Sequence, residues 1–198
     1  MVLTNVGAES RARVEIVMAI SRVPGPHIRP ASAADAPAIH VASWKVTYAS
    51  MVGNVGMDAH TPDDRLLMWM RILGDPESPA HVWVAEIDGT VSGFCSIGPA
   101  RTMAGAGELY TIYLDPGREG HGLGHALITR AEAGMAEGGY THAILWVLRD
   151  NAVARRFYDR HGWRPDGQEI ADEIFGRPVT EVRYTKSLAG ASSGSANS

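Results

Sequence analysis

Three alternating glycines, Gly120, Gly122 and Gly124, have a spacing that could bind an anion. The preceding segment, 109–114, has the aromatic and β-branched content of a strand that is covered on both faces. After the glycines, apolar residues recur every four positions over 123–135, which predicts a helix. A glycine loop that leads into a helix directs free N–H groups and the positive end of the helix dipole at one point. The stretch therefore predicts a phosphate site.

The spacing excludes two well-known phosphate loops. The dinucleotide fingerprint G-x-G-x-x-G requires a glycine at position 125, where the chain has His125. The P-loop requires Gly-Lys-Ser/Thr at the helix start, and no lysine lies between residues 115 and 130. His121 and His125 could share a metal ion, but the Glu of H-E-x-x-H and a third ligand are lacking. We therefore expect no metal here and place both histidines beside the phosphate.

The stretch resembles the acyl-CoA-binding segment of the GNAT family of N-acetyltransferases, which is a bulged strand followed by Q/R-x-x-G-x-G/A and a helix. The match runs from Glu119 to Gly124, with Glu119 where the family has Gln or Arg. A second segment, 151–163, resembles the family's N-x-x-A-x-x-F/L-Y-x-x-x-G-F/W. Two motifs at the right separation make the resemblance specific, and it implies a site for acetyl-CoA. A carboxylate beside a phosphate is unfavourable, so Glu119 predicts a weaker CoA affinity.

The resemblance implies two catalytic residues. In family members that acetylate histones, a glutamate eleven residues before the Q/R position is the general base, and Glu108 stands at this distance from Glu119. Tyr158 matches the family's tyrosine that protonates the leaving sulfur, and a phenol with a pKa of about 10 suits this role. From the residues alone, Glu108 could equally be a strand-entry carboxylate in solvent or in an ion pair, and Tyr158 could be core packing.

The resemblance also implies the groups that hold the cofactor: backbone N–H groups at the strand end, the glycine loop and an asparagine that opens the next helix. These predicted residues are Ile112, Tyr113, Leu114, Glu119, Gly120, His121, Gly122, Leu123, Gly124, His125 and Asn151. Asparagine is also among the best helix N-caps, so a purely structural role for Asn151 stays open.

Three aromatic residues, Trp44, Tyr48 and Tyr110, and the acidic segment 166–173 are candidates for the acceptor pocket. An aromatic and acidic pocket suits a cationic amine such as a polyamine, an aminoglycoside or a lysine side chain. A core helix with interior aromatics and a solvated loop would explain the same residues equally well.

Composition narrows the class of protein. The chain has 198 residues, of which 45% are hydrophobic and 20% charged, as in a soluble globular domain. The net charge of −4 argues against nucleic acid as a partner. Cys95 is the single cysteine, so no internal disulfide can form, and its apolar neighbours indicate an inert packed thiol. We see no membrane span and no signal-peptide pattern, and we predict a cytoplasmic protein without a membrane partner.

The predicted elements run in the order strand, two helices, three strands, helix, strand, helix and further strands. This order predicts an α+β (mixed α/β) domain rather than a doubly wound sheet. It also matches the GNAT-type acetyltransferase fold, in which a central, mostly antiparallel twisted sheet is flanked by helices. We expect a poorly ordered N-terminal extension over 1–26, the acetyltransferase domain over 27–188 and a disordered tail over 189–198. Within the domain, a short strand after Trp163 is expected to lead into an acidic loop.

These patterns together predict an acetyl-CoA-dependent N-acetyltransferase that uses no metal. The acetyl group would pass to a primary amine of a small molecule or peptide by direct attack in a ternary complex. One alternative is a non-catalytic CoA-binding module that regulates a partner. Another is a toxin-like enzyme that acts on charged tRNA, which the negative net charge disfavours. The resemblance is also compatible with a homodimer.

Overall fold

A computed structural model describes residues 25–40, 62–115, 118, 122–174 and 177–188. The predicted N-terminal extension and tail lie almost entirely outside these residues. The helices and strands with described bounds are β1 (His27–Pro30), α1 (Pro62–Gly74), β2 (His81–Ile87), β3 (Thr90–Pro99), β4 (Gly107–Leu114), α2 (Leu123–Glu137), β5 (His142–Leu148), α3 (Ala152–Arg160), β6 (Arg164–Ile174) and β7 (Arg177–Ser187). A single 3-10 turn, Ala33–Asp35, follows β1. None of the helices in the described part of the chain is long and apolar enough to cross a membrane.

The seven strands form one sheet in the order β1-β2-β3-β4-β5-β7-β6. All neighbouring strands are antiparallel except β4 and β5, which run parallel. The α+β prediction is therefore confirmed. The parallel pair lies in the middle of the sheet. The chain leaves β4, passes through α2 and returns to the sheet beside β4 as β5, which is the crossover that a parallel pair requires.

The two faces of the sheet carry separate hydrophobic cores. On one face, α2 buries the residues that the four-residue period predicted, among them Leu127, Ala131 and Met135. On the other face, Trp69 of α1 packs edge-on against Phe94 of β3. Burial of this apolar surface is the main favourable term that holds the helices on the sheet. It also fixes β4 between the two layers.

The Cys95 thiol lies fully buried in the core under α2. Burial disfavours the thiolate and raises the pKa of Cys95 to about 12. The expectation of an inert packed thiol agrees with this environment, because only the thiolate is a good nucleophile.

The predicted acidic loop after Trp163 is wrong, because 166–173 form part of strand β6, which pairs along β7. This strand is at the edge of the sheet and its residues 164–173 are exposed, so apolar and polar residues do not alternate along it. A register shift between Pro165 and Glu169, with Gly167 at φ 85°, further interrupts the pattern. Charged side chains on such a strand protect its open edge against pairing with other chains.

An ion-pair cluster fixes the first turn onto the sheet edge and predicts a response to acid. The Arg29 guanidinium bonds both Asp35 (2.8 Å) and Glu86 (2.6 Å), and Arg29 holds the pKa of Asp35 down at about 2. The stability that Asp35 contributes is present above its unfolded pKa of about 3.9 and is lost as the pH falls toward 2. We expect Asp35→Asn to lower the free energy of unfolding at pH 7 by about 2 kcal/mol.

Urea unfolding of wild type and Asp35→Asn between pH 7 and pH 2 measures this contribution. The difference between the two proteins should shrink as the pH falls from 4 toward 2, because the Asp35 carboxyl is protonated first in the unfolded chain and in the folded protein only near its lowered pKa of about 2. A difference that stays constant down to pH 2 would show that the Asp35 charge does not carry the effect.

Candidate active site

Strand β4 has an open backbone edge. Its pairing with β5 is confined to Gly107 with Ala143 and Glu108 with Ile144, after which the two strands diverge. A bulge at Tyr110, which the register with β3 skips, accompanies this divergence. The backbone from residue 109 onward thus borders a cleft between β4 and β5. An open strand edge offers N–H and C=O groups to an extended ligand.

The three residues predicted to hold the thioester and pantetheine differ in the direction of their backbone N–H groups, which point either to β3 or into the cleft. The Asp115 N–H donates to the Ser92 carbonyl of β3 at 2.8 Å. Because amides alternate along a strand, the Tyr113 N–H also points to β3, and those of Ile112 and Leu114 point into the cleft. The backbone of Ile112 and Leu114 can therefore meet a ligand, whereas Tyr113 can contribute only its side chain, which packs on Phe94.

The two described glycines of the loop have different roles at the start of α2. Gly122 is the N-cap of α2 and has φ 75°, a left-handed conformation that favours glycine. Gly124 gives room to a neighbouring helix, since a Cβ there would lie 3.0 Å from the Phe157 ring of α3. Leu123 is buried in the core, so only its backbone N–H faces the loop side. The free N–H groups of this first turn are suited to bind an anion, and the anion site here stays a prediction.

Several predicted site residues lie outside the described part of the chain, namely Trp44, Tyr48, Glu119, Gly120 and His121. His125 is described, is exposed and lies 3.2 Å from His161 at the end of α3. The second ring nitrogen of His161 lies 2.8 Å from the Phe157 carbonyl, so the pair ties α2 to α3. Within the described ranges, no three His, Cys, Asp or Glu side chains stand together as a metal site.

The second motif builds α3, and both of its predicted polar residues have structural partners. The Asn151 side-chain oxygen accepts the Ala154 N–H at 3.0 Å, so Asn151 is the N-cap of α3. Its amide nitrogen is left to donate to another group, such as pantetheine. Tyr158 is 8% exposed and packs against Trp163 and Tyr184, and burial raises the pKa of its phenol. The phenol therefore keeps its proton at neutral pH.

Glu108 lies at the point where β4 and β5 separate and is paired with an arginine that the motifs did not indicate. Its side chain is 1% exposed. The Arg101 backbone N–H donates to Oε2 at 2.8 Å, and the Arg101 guanidinium binds Oε1. Arg101 lies in the connection between β3 and β4, where the Ala100 N–H donates to the Ala106 carbonyl at 2.9 Å. Glu108 is thus in an ion pair rather than in solvent.

The sheet face around Glu108 is aromatic and acidic. The Tyr110 hydroxyl donates to the Pro99 carbonyl at 2.6 Å, and the Tyr110 ring lies 5.1 Å from the Arg101 guanidinium carbon. Glu181 of β7 belongs to the same face, and burial, followed by the nearby Asp172 charge, raises the pKa of its carboxyl. The sequence predicts Tyr110 as an acceptor-site residue, which stays a prediction, and does not indicate Arg101 or Glu181. No local sequence pattern indicates either residue. Glu181 could have been found only from the register of β5 with β7, in which Leu148 pairs with Glu181.

Comparisons with known proteins agree with this geometry. The family model described as the Acetyltransferase (GNAT) family matches residues 44–163, more than half of the chain. A mycothiol acetyltransferase from Acidimicrobium ferrooxidans is 35% identical over 94 residues, which are 46% of this chain and 30% of that protein. The uncharacterized N-acetyltransferase YuaI of Bacillus subtilis is 30% identical over 116 residues, 57% of this chain and 64% of that protein.

A solved structure has the same fold. The putative acetyltransferase yncA of Salmonella typhimurium, determined with acetyl-CoA, superposes with a TM-score of 0.63 at 23% identity and covers 87% of this chain and 99% of that one. The chain belongs to the GNAT acetyltransferase family. Its matches span less than two thirds of the length of the curated relatives.

Proposed function

We propose that this protein is an acetyl-CoA-dependent N-acetyltransferase that acts on a primary amine of a small molecule or peptide. The observation that carries the proposal is the open β4 edge, which begins beside the buried Glu108 carboxylate and ends near the N-terminus of α2. Strand β4 thereby borders both a pocket for a cation, beside Glu108, and an open edge that leads to an anion site at the N-terminus of α2. The proposal includes a cytoplasmic location, which a single buried thiol supports, because secreted proteins favour disulfides.

The residues present fit acetyl-CoA. The N–H groups of Ile112 and Leu114 point into the cleft, and the free N–H groups of the first turn of α2 suit a pyrophosphate. The Asn151 amide nitrogen would add a donor from α3. When bound, acetyl-CoA supplies an activated thioester at this strand edge.

The chain's own residues would hold and move two protons. Glu108 Oε1 takes a proton from the acceptor ammonium, directly or through one water, and so frees the amine for attack. The Tyr158 hydroxyl donates its proton to the leaving sulfur. Its raised pKa keeps the phenol protonated until the sulfur leaves. The attacking nitrogen loses its second proton to solvent as the amide forms. The proton on Glu108 then passes through solvent to the Tyr158 phenolate, which restores both groups.

A screen for release of the CoA thiol tests the proposal. Acetyl-CoA is offered with polyamines, aminoglycosides, amino acids and peptide N-termini, and a thiol reagent follows product formation. We expect amine-dependent release with at least one class. Acetyl-CoA binding without release across the whole panel would contradict the proposal and favour the non-catalytic CoA-binding module.

Tyr158→Phe is expected to lower kcat by about 10²-fold or more, the contribution of a general acid, and to leave acetyl-CoA affinity nearly unchanged. The change removes one hydroxyl and keeps the ring that packs on Trp163. Steady-state kinetics and calorimetric titration with acetyl-CoA give the two quantities.

Tyr184→Phe is the matched control, because Tyr184 is a buried tyrosine whose ring centre lies 6.2 Å from that of Tyr158. Its hydroxyl accepts a hydrogen bond from Arg155 instead of facing the cleft. Equal kcat losses in both variants would remove Tyr158 as the acid and indicate a packing effect.

A further inference from the structure

We propose that Arg101 occupies the ammonium subsite of the acceptor. In this inference, which rests on the proposed function, the acceptor binds by exchange: its cationic group replaces the Arg101 guanidinium on Glu108. Arg101 would then be a specificity-determining residue, because a neutral acceptor could not take its place. The acceptor would be a cation whose charged nitrogen is the one acetylated.

The two oxygens of Glu108 are held in different ways. Oε2 accepts the Arg101 backbone N–H at 2.8 Å, a bond that does not depend on the side chain. Oε1 is bound by the guanidinium, through Nε at 3.1 Å and through the terminal NH2. Departure of the side chain would therefore free Oε1 and leave the carboxylate oriented by the main chain. The freed oxygen is the one that could bond an ammonium and take its proton.

The exposure of the two partners is strongly unequal. The Arg101 side chain is 67% exposed, whereas that of Glu108 is 1% exposed. The guanidinium can therefore move into water at little cost. The carboxylate cannot, and a buried charge that loses its partner is strongly unfavourable. The free-energy cost of separating the pair therefore falls on the unpaired Glu108 carboxylate, and it is avoided only when another cation takes the position of Arg101. This is the physical basis of the exchange.

The wall of this subsite exists independently of Arg101. The Tyr110 ring, over which the guanidinium stacks at 5.1 Å, is held by its own hydrogen bond to the Pro99 carbonyl. Gly98 makes room for it, since a Cβ at Gly98 would lie 2.6 Å from the Tyr110 hydroxyl. A second carboxyl, Glu181, is close enough for its pKa to respond to Arg101 and Glu108. An aromatic face and two carboxyl groups suit an ammonium as well as a guanidinium.

Binding of benzylamine, with benzyl alcohol as its neutral counterpart, tests the exchange by calorimetry without acetyl-CoA. In Arg101→Gln the competing cation is gone, so we expect the Kd of benzylamine to fall at least tenfold, and that of benzyl alcohol to stay within twofold. Arg183→Gln is the matched control. Arg183 also stacks over an aromatic ring, that of Trp146, and bonds a carboxylate, that of Asp166, yet it does not touch Glu108.

The proposal is overturned if benzylamine binds Arg101→Gln no more tightly than wild type, including the case in which neither binds. It is also overturned if Arg183→Gln tightens binding equally. Should Arg101→Gln fail to fold, Arg101→Lys keeps a cation but loses the guanidinium fork, and we expect at least a threefold fall in the Kd of benzylamine. An unchanged Kd in a folded Arg101→Lys would overturn the proposal as well.

Thiol release separates this inference from the proposed function. If wild type releases CoA thiol with amines but Arg101→Gln gains no affinity for benzylamine, the exchange model is wrong and the enzyme assignment stands. If Arg101→Gln gains affinity but no amine supports thiol release in any variant, the cation subsite is real and the enzyme assignment is wrong.

Discussion

Replacing Glu108 by Gln is expected to lower kcat/KM for amine acetylation by about 10²- to 10⁴-fold, the usual contribution of a general base. Gln keeps the shape of the side chain and an oxygen for the Arg101 backbone N–H, but it cannot take a proton from the ammonium. The loss should shrink as the pH rises, because more of the acceptor is then already the free amine. Rate profiles from pH 6 to pH 10 measure this, with acetyl-CoA affinity as a check on the cofactor site.

Glu86→Gln is the control for the loss of a glutamate paired with an arginine. Glu86 of β2 bonds Arg29 at 2.6 Å, and β3 separates β2 from the β4 strand that borders the cleft. We expect its kcat/KM to stay within about twofold of wild type, since Glu86 does not border the cleft in which the reaction is proposed to take place. Full activity of Glu108→Gln at pH 7 would contradict the base assignment and move it to Glu181, a second carboxyl on this face.

The strand, glycine loop and helix around the candidate site could be predicted because their signals are local. The apolar content over 109–114 can be read within a single strand. The four-residue period over 123–135 can be read from residues within two turns of the helix. The predicted cofactor contacts stay predictions. The structure adds a reason for Gly124 that the sequence could not supply, because its contact with Phe157 joins elements 33 positions apart.

The acceptor side could not be predicted in the same way. Glu181 approaches Glu108 only through the register of β4 with β5 and of β5 with β7, which no short window contains. Arg101 is seven residues from Glu108, yet it lies in a connection without periodicity, where the folded loop alone brings it back to the strand. The start of strand β6 after Trp163 was predicted, but its continuation over 166–173 was not, since a strand exposed to water lacks the alternation by which strands are recognised.

Trp163→Ala is expected to lower the free energy of unfolding by about 3–5 kcal/mol, the range for truncating a buried Trp. Trp163 is 0% exposed, and its ring packs against Tyr158. Its indole N–H donates to Glu132 of α2 at 2.8 Å, and Glu132 pairs with Lys186 at 2.7 Å. The side chain thus joins the end of α3 to α2 and β7. Urea unfolding followed by circular dichroism at pH 7 measures the change.

Trp163→Phe distinguishes the contribution of the buried ring to stability from that of its hydrogen bond. It keeps most of the buried area but removes the bond to Glu132, so we expect a smaller loss of about 1–3 kcal/mol. Because Trp163 supports the Tyr158 ring, the alanine variant should also lose more kcat than the phenylalanine variant at a temperature where both are folded. A Trp163→Ala protein that unfolds at the wild-type urea concentration would show that α3 is anchored elsewhere, with Phe157 against Gly124 as the contact to test next.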